Sequence, residues 1–369
     1  MATLATDQRV YNFSAGPAVL PVSVLEQVRD EMLCLPGAGC SLLEMSHRDK
    51  RFLEILADAQ AGIRELLGVS DDYEVLFLQG GARLQFSMIA ANLLRGQDKA
   101  AEYMLTGSWS KKAIEEARKE GNVNVTWDGK ANQYSQLPTA ADYQIPADAP
   151  YLYYCSNETI QGVQFQSEPT CPGSVPLICD SSSDFLSRPL DIAKYGMLYA
   201  CAQKNAGPAG VTVVIMRKDL LAKGSDDLPG YLLYRNHAEN DSEWNTPPTF
   251  AIYVLGLVTQ WLKKQGGLQA IEKQNHEKSQ LLYDVIDAFP DFYQGHAKVD
   301  CRSKMNVTFK LPSDELQAAF LAEAASQQLQ SLKGHRSVGG IRASLYNAMP
   351  VAGAAKLADL MRAFAEKNA

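Results

Sequence analysis

The chain has 369 residues, more than one hydrophobic core usually organises, and 46% hydrophobic residues are enough to fill two domains. With 35 Lys and Arg against 42 Asp and Glu the net charge is -7, which excludes a general nucleic-acid binder and means that any anionic ligand must be held by a local cluster of cations. No apolar run approaches the ~20 residues of a membrane span, residues 1–9 carry neither a signal-peptide core nor a basic transit pattern, and the cysteines form no CxxC pair, so the expectation is a cytoplasmic protein without metal or disulfide frame.

Residues 10–20 read as an extended, turn-rich arm. A helix is predicted from about Pro21, with Leu25, Val28, Met32 and Leu35 on one stripe and Pro36-Gly37 closing it. Ser46-His47-Arg48 then stands directly before a second amphipathic helix bearing Phe52, Ile55, Leu56, Ala59, Ile63, Leu66 and Leu67. Imidazole and guanidinium at a helix start can hold an oxyanion, although an ordinary surface pair accounts for them equally well.

A strand at 75–78 runs into Gln79-Gly80-Gly81-Ala82-Arg83 and a helix with Leu84, Met88, Ala91 and Leu94. Such a strand, glycine turn and helix start can aim free N–H groups at a phosphate, or simply pack a turn. It matches neither a dinucleotide fingerprint nor a Walker loop. The strand at 102–105 leads to Thr106-Gly107-Ser108-Trp109, where the indole could lie flat on an aromatic ligand or fill the core. Strands follow at 124–127 and 151–154, the latter ending in Ser156-Asn157-Glu158-Thr159. The strand at 175–179 ends at Asp180, a helix cap or the partner of a cation.

The apolar run 197–202 delivers Lys204, stops in a Gly207-Pro208 turn and leaves again through 211–216. A lysine on the lip of a buried strand, where burial disfavours an ammonium, can attack a carbonyl as a free amine, which makes Lys204 the candidate Schiff-base lysine. Strand after strand thus ends in a polar residue on one edge of a parallel sheet, where open α/β sheets bind ligands.

Residues 217–248 read as a long irregular stretch, functional or intersubunit. A helix from Thr249 ends at Gly266-Gly267 and another runs from Leu268 to about Phe289. A strand at 305–311, a helix at 313–329, a strand ending at Tyr346 and a last helix with Leu357, Leu360, Met361 and Phe364 complete the pattern. The expected organisation is an arm (1–20), a large α/β domain (21–269) with a mostly parallel seven-stranded sheet, and a smaller α+β domain (270–369). His335-Arg336 repeats His47-Arg48, and Arg342 adds a third cationic position, a surplus that two anionic groups on one substrate would explain.

Ordered along the chain from Tyr11 to Phe364, the segments Asn12-Phe13-Ser14-Ala15-Gly16-Pro17, Ser46-His47-Arg48, Gly80-Gly81-Ala82-Arg83, Asn157-Glu158-Thr159, Ala202-Gln203-Lys204-Asn205, Asn245-Thr246-Pro247-Pro248, Lys333-Gly334-His335-Arg336 and Gly340-Ile341-Arg342 resemble the phosphoserine aminotransferase family, fold-type-I enzymes of class V dependent on pyridoxal 5'-phosphate. The resemblance implies that Lys204 is the catalytic lysine, that Trp109 stacks on the cofactor ring, that Asp180 pairs with the ring nitrogen and that Thr159 bonds the ring hydroxyl. It assigns the cofactor phosphate to Ala82, Arg83 and Gln203, with Asn245 and Thr246 of a second subunit, and hence implies a homodimer with shared sites. Arg342 would take the substrate α-carboxylate, and His47, Arg48, His335 and Arg336 the distal phosphate or carboxylate. The implied reaction is ping-pong transfer from glutamate to 3-phosphohydroxypyruvate, with the phosphorylated oxo acid of pyridoxine synthesis as a second substrate. Ser181-Ser182-Ser183-Asp184-Phe185 departs from the family pattern by an extra acid and an aromatic, and Cys201 is unexplained. The rivals are a cysteine desulfurase of the same fold, with Cys301 beside Arg302 and Lys304 as nucleophile, and a non-catalytic metabolite-binding protein.

Overall fold

The computed structural model describes residues 9–368; residues 1–8 and 369, which the expected arm and C-terminal domain include, lie outside it. Its centre is a seven-stranded sheet in the order Tyr73–Leu78, Thr212–Arg217, Met197–Cys201, Leu177–Asp180, Leu152–Cys155, Ala101–Leu105, Val123–Asp128. Thr212–Arg217 runs antiparallel to both neighbours, and the other strands are parallel to one another. The α/β expectation with a mostly parallel sheet is therefore met.

Alternation along the strands explains the layers, since successive side chains of a strand face opposite sides. Phe77, Leu152, Cys179, Leu198 and Val213 enter one core with the helices Lys50–Leu67 and Thr249–Lys264. Leu76, Tyr103, Tyr153, Ile178, Tyr199 and Val214 enter the other, with the helices Gly81–Leu93 and Ser108–Ala117. With both faces buried, only the strand ends are left to meet a ligand.

A three-stranded antiparallel sheet, Gln294–Gly295, Asn306–Lys310 and Ile341–Ser344, packs with the helices Asp314–Ser326 and Val351–Asn368 around a separate core. The helix Gly267–Ala288 serves both: Leu268 and Ile271 belong to the large core, and Leu282, Val285 and Ile286 to the small one. Phe13 of the arm is fully buried in the small core, and Tyr11–Asn12 pairs in parallel with Leu329–Gln330.

Three expected elements differ. The first helix spans Val22–Glu31, four residues short of Leu35, and closes with the Met32 N–H on the Arg29 carbonyl; Pro36 disfavours helical geometry at Leu35 and so bars extension through it. Leu35 is still buried, through a turn in which its N–H reaches the Cys40 carbonyl at 2.9 Å. The helix expected over 313–329 ends at Ser326, where Gln328 takes a left-handed φ of 64° and turns the chain toward Tyr11. The stretch 217–248 contains the short helices Lys218–Leu221 and Tyr234–Glu239. It also covers the edge of the sheet, since Ser242 Oγ accepts the outward N–H of Phe77 at 3.0 Å.

Candidate active site

Lys204 sits in the turn that follows Met197–Cys201, at the C-terminal edge of the parallel strands. Asn205 anchors that turn by accepting the Asn347 N–H at 2.9 Å, and Gln203 accepts the Ala18 N–H at 2.9 Å. Gly16 lies so close that a Cβ there would stand 3.4 Å from Cγ of Lys204. The amine donates to Thr159 Oγ1 at 2.7 Å and stands 5.6 Å from the centre of the Trp109 ring.

A cavity of about 240 Å³ opens over this amine, and Ala82, Trp109, Thr159, Asp180, Gln203, His335 and Arg342 line it. Asp180 is 3% exposed, its Oδ1 accepts the Ser182 N–H at 2.9 Å, and burial raises its carboxyl above the usual range against the pull of Ser182 and Lys204. Arg342 on Ile341–Ser344 is held below its ordinary value by burial, with Tyr346 opposing. His335 is lowered first by burial, then by Arg342, Lys112 and Arg336.

Four expected residues stand elsewhere in the chain. Asn245 bonds Gln79 Oε1 at 3.1 Å, Thr246 is exposed, and His47 and Arg48 act on the carboxyl of Glu243, so this group gathers around the 241–246 loop rather than lining the Lys204 cavity. Within one chain His47 and Arg48 do not line the cavity that His335 lines. Arg83 and Arg336 are exposed and lie outside the lining too, but both act on Lys112 beside Trp109.

Two features were missing from the sequence reading. Glu158 is fully buried and accepts Trp109 N–H, Ser110 N–H and Ser110 Oγ–H at 2.7–2.8 Å, and Gln161 Oε1 takes the Ser108 N–H at 3.3 Å. Together they satisfy the free donors at the start of the Ser108–Ala117 helix and so fix Trp109. Gly107 is required there, because a Cβ would meet Glu158 Cδ at 2.5 Å. Burial raises the Glu158 carboxyl in spite of these donors. The second feature is Cys201, whose Sγ accepts the Ala82 N–H at 3.0 Å at the start of the Gly81–Leu93 helix. Asp184, the departure noted above, is a buried acceptor for Ser156 Oγ, Ser181 Oγ and Gln164 Nε2, and Phe185 fills the large core.

These donors suit pyridoxal phosphate group by group. A primary amine could meet an aldehyde, an indole whose Nε1 is buried without a partner could flank a ring, a buried carboxylate could pair with a ring nitrogen, and a helix start could take a phosphate. Among the described residues, Arg83, Lys112, Lys204, Arg336 and Arg342 take part in no ion pair, which leaves them free for anions.

Residues 10–357 match the family model Aminotransferase class-V. A phosphoserine aminotransferase of Rhodopirellula baltica is 66% identical over 362 residues, covering 98% of this chain and 96% of the relative. The chain belongs to the phosphoserine aminotransferases. Solved phosphoserine aminotransferases superpose closely: that of Bacillus circulans subsp. alkalophilus has a TM-score of 0.95 at 45% identity, over 98% of this chain and 100% of that one. The PLP-bound phosphoserine aminotransferase of Trichomonas vaginalis has a TM-score of 0.91 at 40% identity, over 96% and 100%. As a class-V aminotransferase, the chain is a transferase dependent on pyridoxal phosphate. No helix among the described residues is long and apolar enough to cross a membrane.

Proposed function

We propose that the chain transfers an amino group reversibly between glutamate and 3-phosphohydroxypyruvate, giving O-phospho-L-serine and 2-oxoglutarate, and that it also accepts the four-carbon phosphorylated oxo acid, 3-hydroxy-2-oxo-4-phosphooxybutanoate. The observation that carries the reading is the convergence on one cavity of Lys204, Asp180 and Trp109 with the side chains of His335 and Arg342.

Pyridoxal phosphate, when bound, supplies the aldehyde that receives the amino group and a cationic ring that delocalises the electron pair left at Cα. The chain provides the rest. Asp180, deep in the cavity, keeps a proton on the ring nitrogen, and Thr159 holds the Lys204 amine in place. Lys204 Nζ, at the floor of the cavity, would be the group that holds the cofactor aldehyde and, when freed by an incoming amino acid, the base that takes and returns the substrate's Cα proton. Trp109 covers the ring and excludes water, and Ala82, Arg83 and Gln203 hold the cofactor phosphate. Arg342 orients the α-carboxylate, and His335 and Arg336 face the distal anion.

His47, Arg48, Asn245 and Thr246 share a neighbourhood away from the Lys204 cavity. This supports a homodimer in which each copy lends these residues to the other's site, His47 and Arg48 to the distal anion and Asn245 and Thr246 to the cofactor phosphate. The desulfurase alternative loses its nucleophile: Cys301 is 3% exposed, donates to the Ser135 carbonyl, and burial pushes its thiol up to about 11.

Purified protein carrying cofactor should exchange its visible absorbance for that of the amino form on adding glutamate or O-phospho-L-serine. Lys204→Ala should lose both the Schiff-base band and turnover. Normal transamination by that variant would refute the assignment, and sulfide release dependent on Cys301 would replace it.

A further inference from the structure

The Ser108–Ala117 helix carries two adjacent lysines with different surroundings. Lys111 faces outward, 3.9 Å from Glu115 in an i,i+4 pair. Lys112 lies over its own helix start, its Nζ 4.2 Å from the centre of the Trp109 ring. It is half-buried and, among the described residues, has no carboxylate in ion-pair contact. Burial lowers its amine first, then Arg83; Glu158 and Glu115 oppose, and Arg336 adds to the lowering. Lys112 in turn depresses the His335 imidazole that lines the Lys204 cavity. A cation near the start of a helix also opposes the positive end of the helix dipole. A half-buried ammonium that feels two arginines and makes no ion pair among the described residues is the arrangement expected of a group whose counter-ion arrives with the ligand.

We infer that Lys112 is a specificity-determining residue of the distal anion subsite: seated on Trp109, which lines the Lys204 cavity, its ammonium meets the phosphate of phosphorylated amino and oxo acids and favours that dianion over the single charge of a glutamate side chain. This rests on the proposed reaction. Coulomb attraction grows with the product of the charges, so one fixed ammonium draws a dianion about twice as strongly as a monoanion. The indole face holds that ammonium in place by a cation–π contact.

The test compares holoenzyme with Lys112→Met, which keeps the side chain's length and its packing on the indole, in separate half-reactions with O-phospho-L-serine and with glutamate. For the phosphorylated acid kcat/KM should fall about tenfold, chiefly through KM, and for glutamate about threefold or less, with Lys112→Arg restoring the preference. Calorimetric titration with O-phospho-L-serine should show a matching loss of affinity without depending on turnover. A wild type that binds O-phospho-L-serine but transfers no amino group would overturn the proposed reaction, and the variant's affinity would still decide the subsite. Equal losses for the two substrates would make Lys112 a support for Trp109 alone and overturn the inference, as would unchanged affinity for the phosphorylated acid.

Discussion

Lys278 offers a quantitative test of how the long helix Gly267–Ala288 is joined to the small core. It is 1% exposed, its amine donates to the carbonyls of Leu345 and Tyr346 at 2.9 Å each, and burial lowers it from 10.5 to about 7. Below pH 7 the folded and unfolded chains both hold this proton, so stability is insensitive to pH through this group. Between pH 7 and 10.5 the unfolded chain holds a proton that the folded chain has released, so stability rises with pH across that window. From pH 7 to pH 9 the gain is about 2 kcal/mol, since each full unit of proton difference is worth about 1.4 kcal/mol and the release is half complete at the start. Lys278→Met removes the titrating group and leaves two carbonyls unpaired, an offset of about 1–3 kcal/mol for each that does not vary with pH. Urea unfolding of both proteins at pH 7, 8 and 9, with saturating cofactor, separates the two effects: wild type should gain about 2 kcal/mol on the variant from the first pH to the last. Other groups titrating in that window cancel because both proteins share them. A difference that stays flat with pH would show that the amine keeps its proton in the fold, and the argument from burial would fail.

Two further predictions concern the site. Glu158→Ala strands the donors of Trp109 and Ser110 inside the fold, and should cost about 2–4 kcal/mol in urea unfolding and weaken the quenching of indole fluorescence by bound cofactor; unchanged stability and quenching would remove its positioning role. If sites are shared across a dimer, co-expressing Lys204→Ala with Arg48→Ala should restore about a quarter of wild-type turnover, because half of randomly formed dimers then contain one intact site of two. Activity no higher than the sum of the separate variants would refute the sharing of Arg48 and Lys204 across subunits.

Local chemistry was most legible where a strand stops. The strand Leu177–Asp180 is apolar until it ends at Asp180, and Met197–Cys201 is buried throughout and followed within three residues by Lys204, so the polar side chains appear where the buried strands end. The large core followed from alternation and helical stripes. What escaped notice depends on long-range partners: Glu158 acts on Trp109 across 49 positions, and no periodicity records that. Lys112 was hidden by its neighbour Lys111, since which of two adjacent lysines turns inward depends on Trp109 one turn earlier. The His47-Arg48 and His335-Arg336 pairs look alike in sequence, yet within one chain only His335 of the four lines the Lys204 cavity. A pattern within one chain does not say across which subunit boundary a residue works.

The pairing of Tyr11–Asn12 with Leu329–Gln330, and of Ala18 with Gln203, has a consequence for biosynthesis. Tyr11 and Asn12 meet their strand partners only after more than three hundred further residues have been translated, whereas Gly16 and Ala18 meet the lysine turn after fewer than two hundred. A nascent chain cut short of Leu329 would therefore lack the register that seats Tyr11 and Asn12, which ties the placing of this segment to synthesis of the small core.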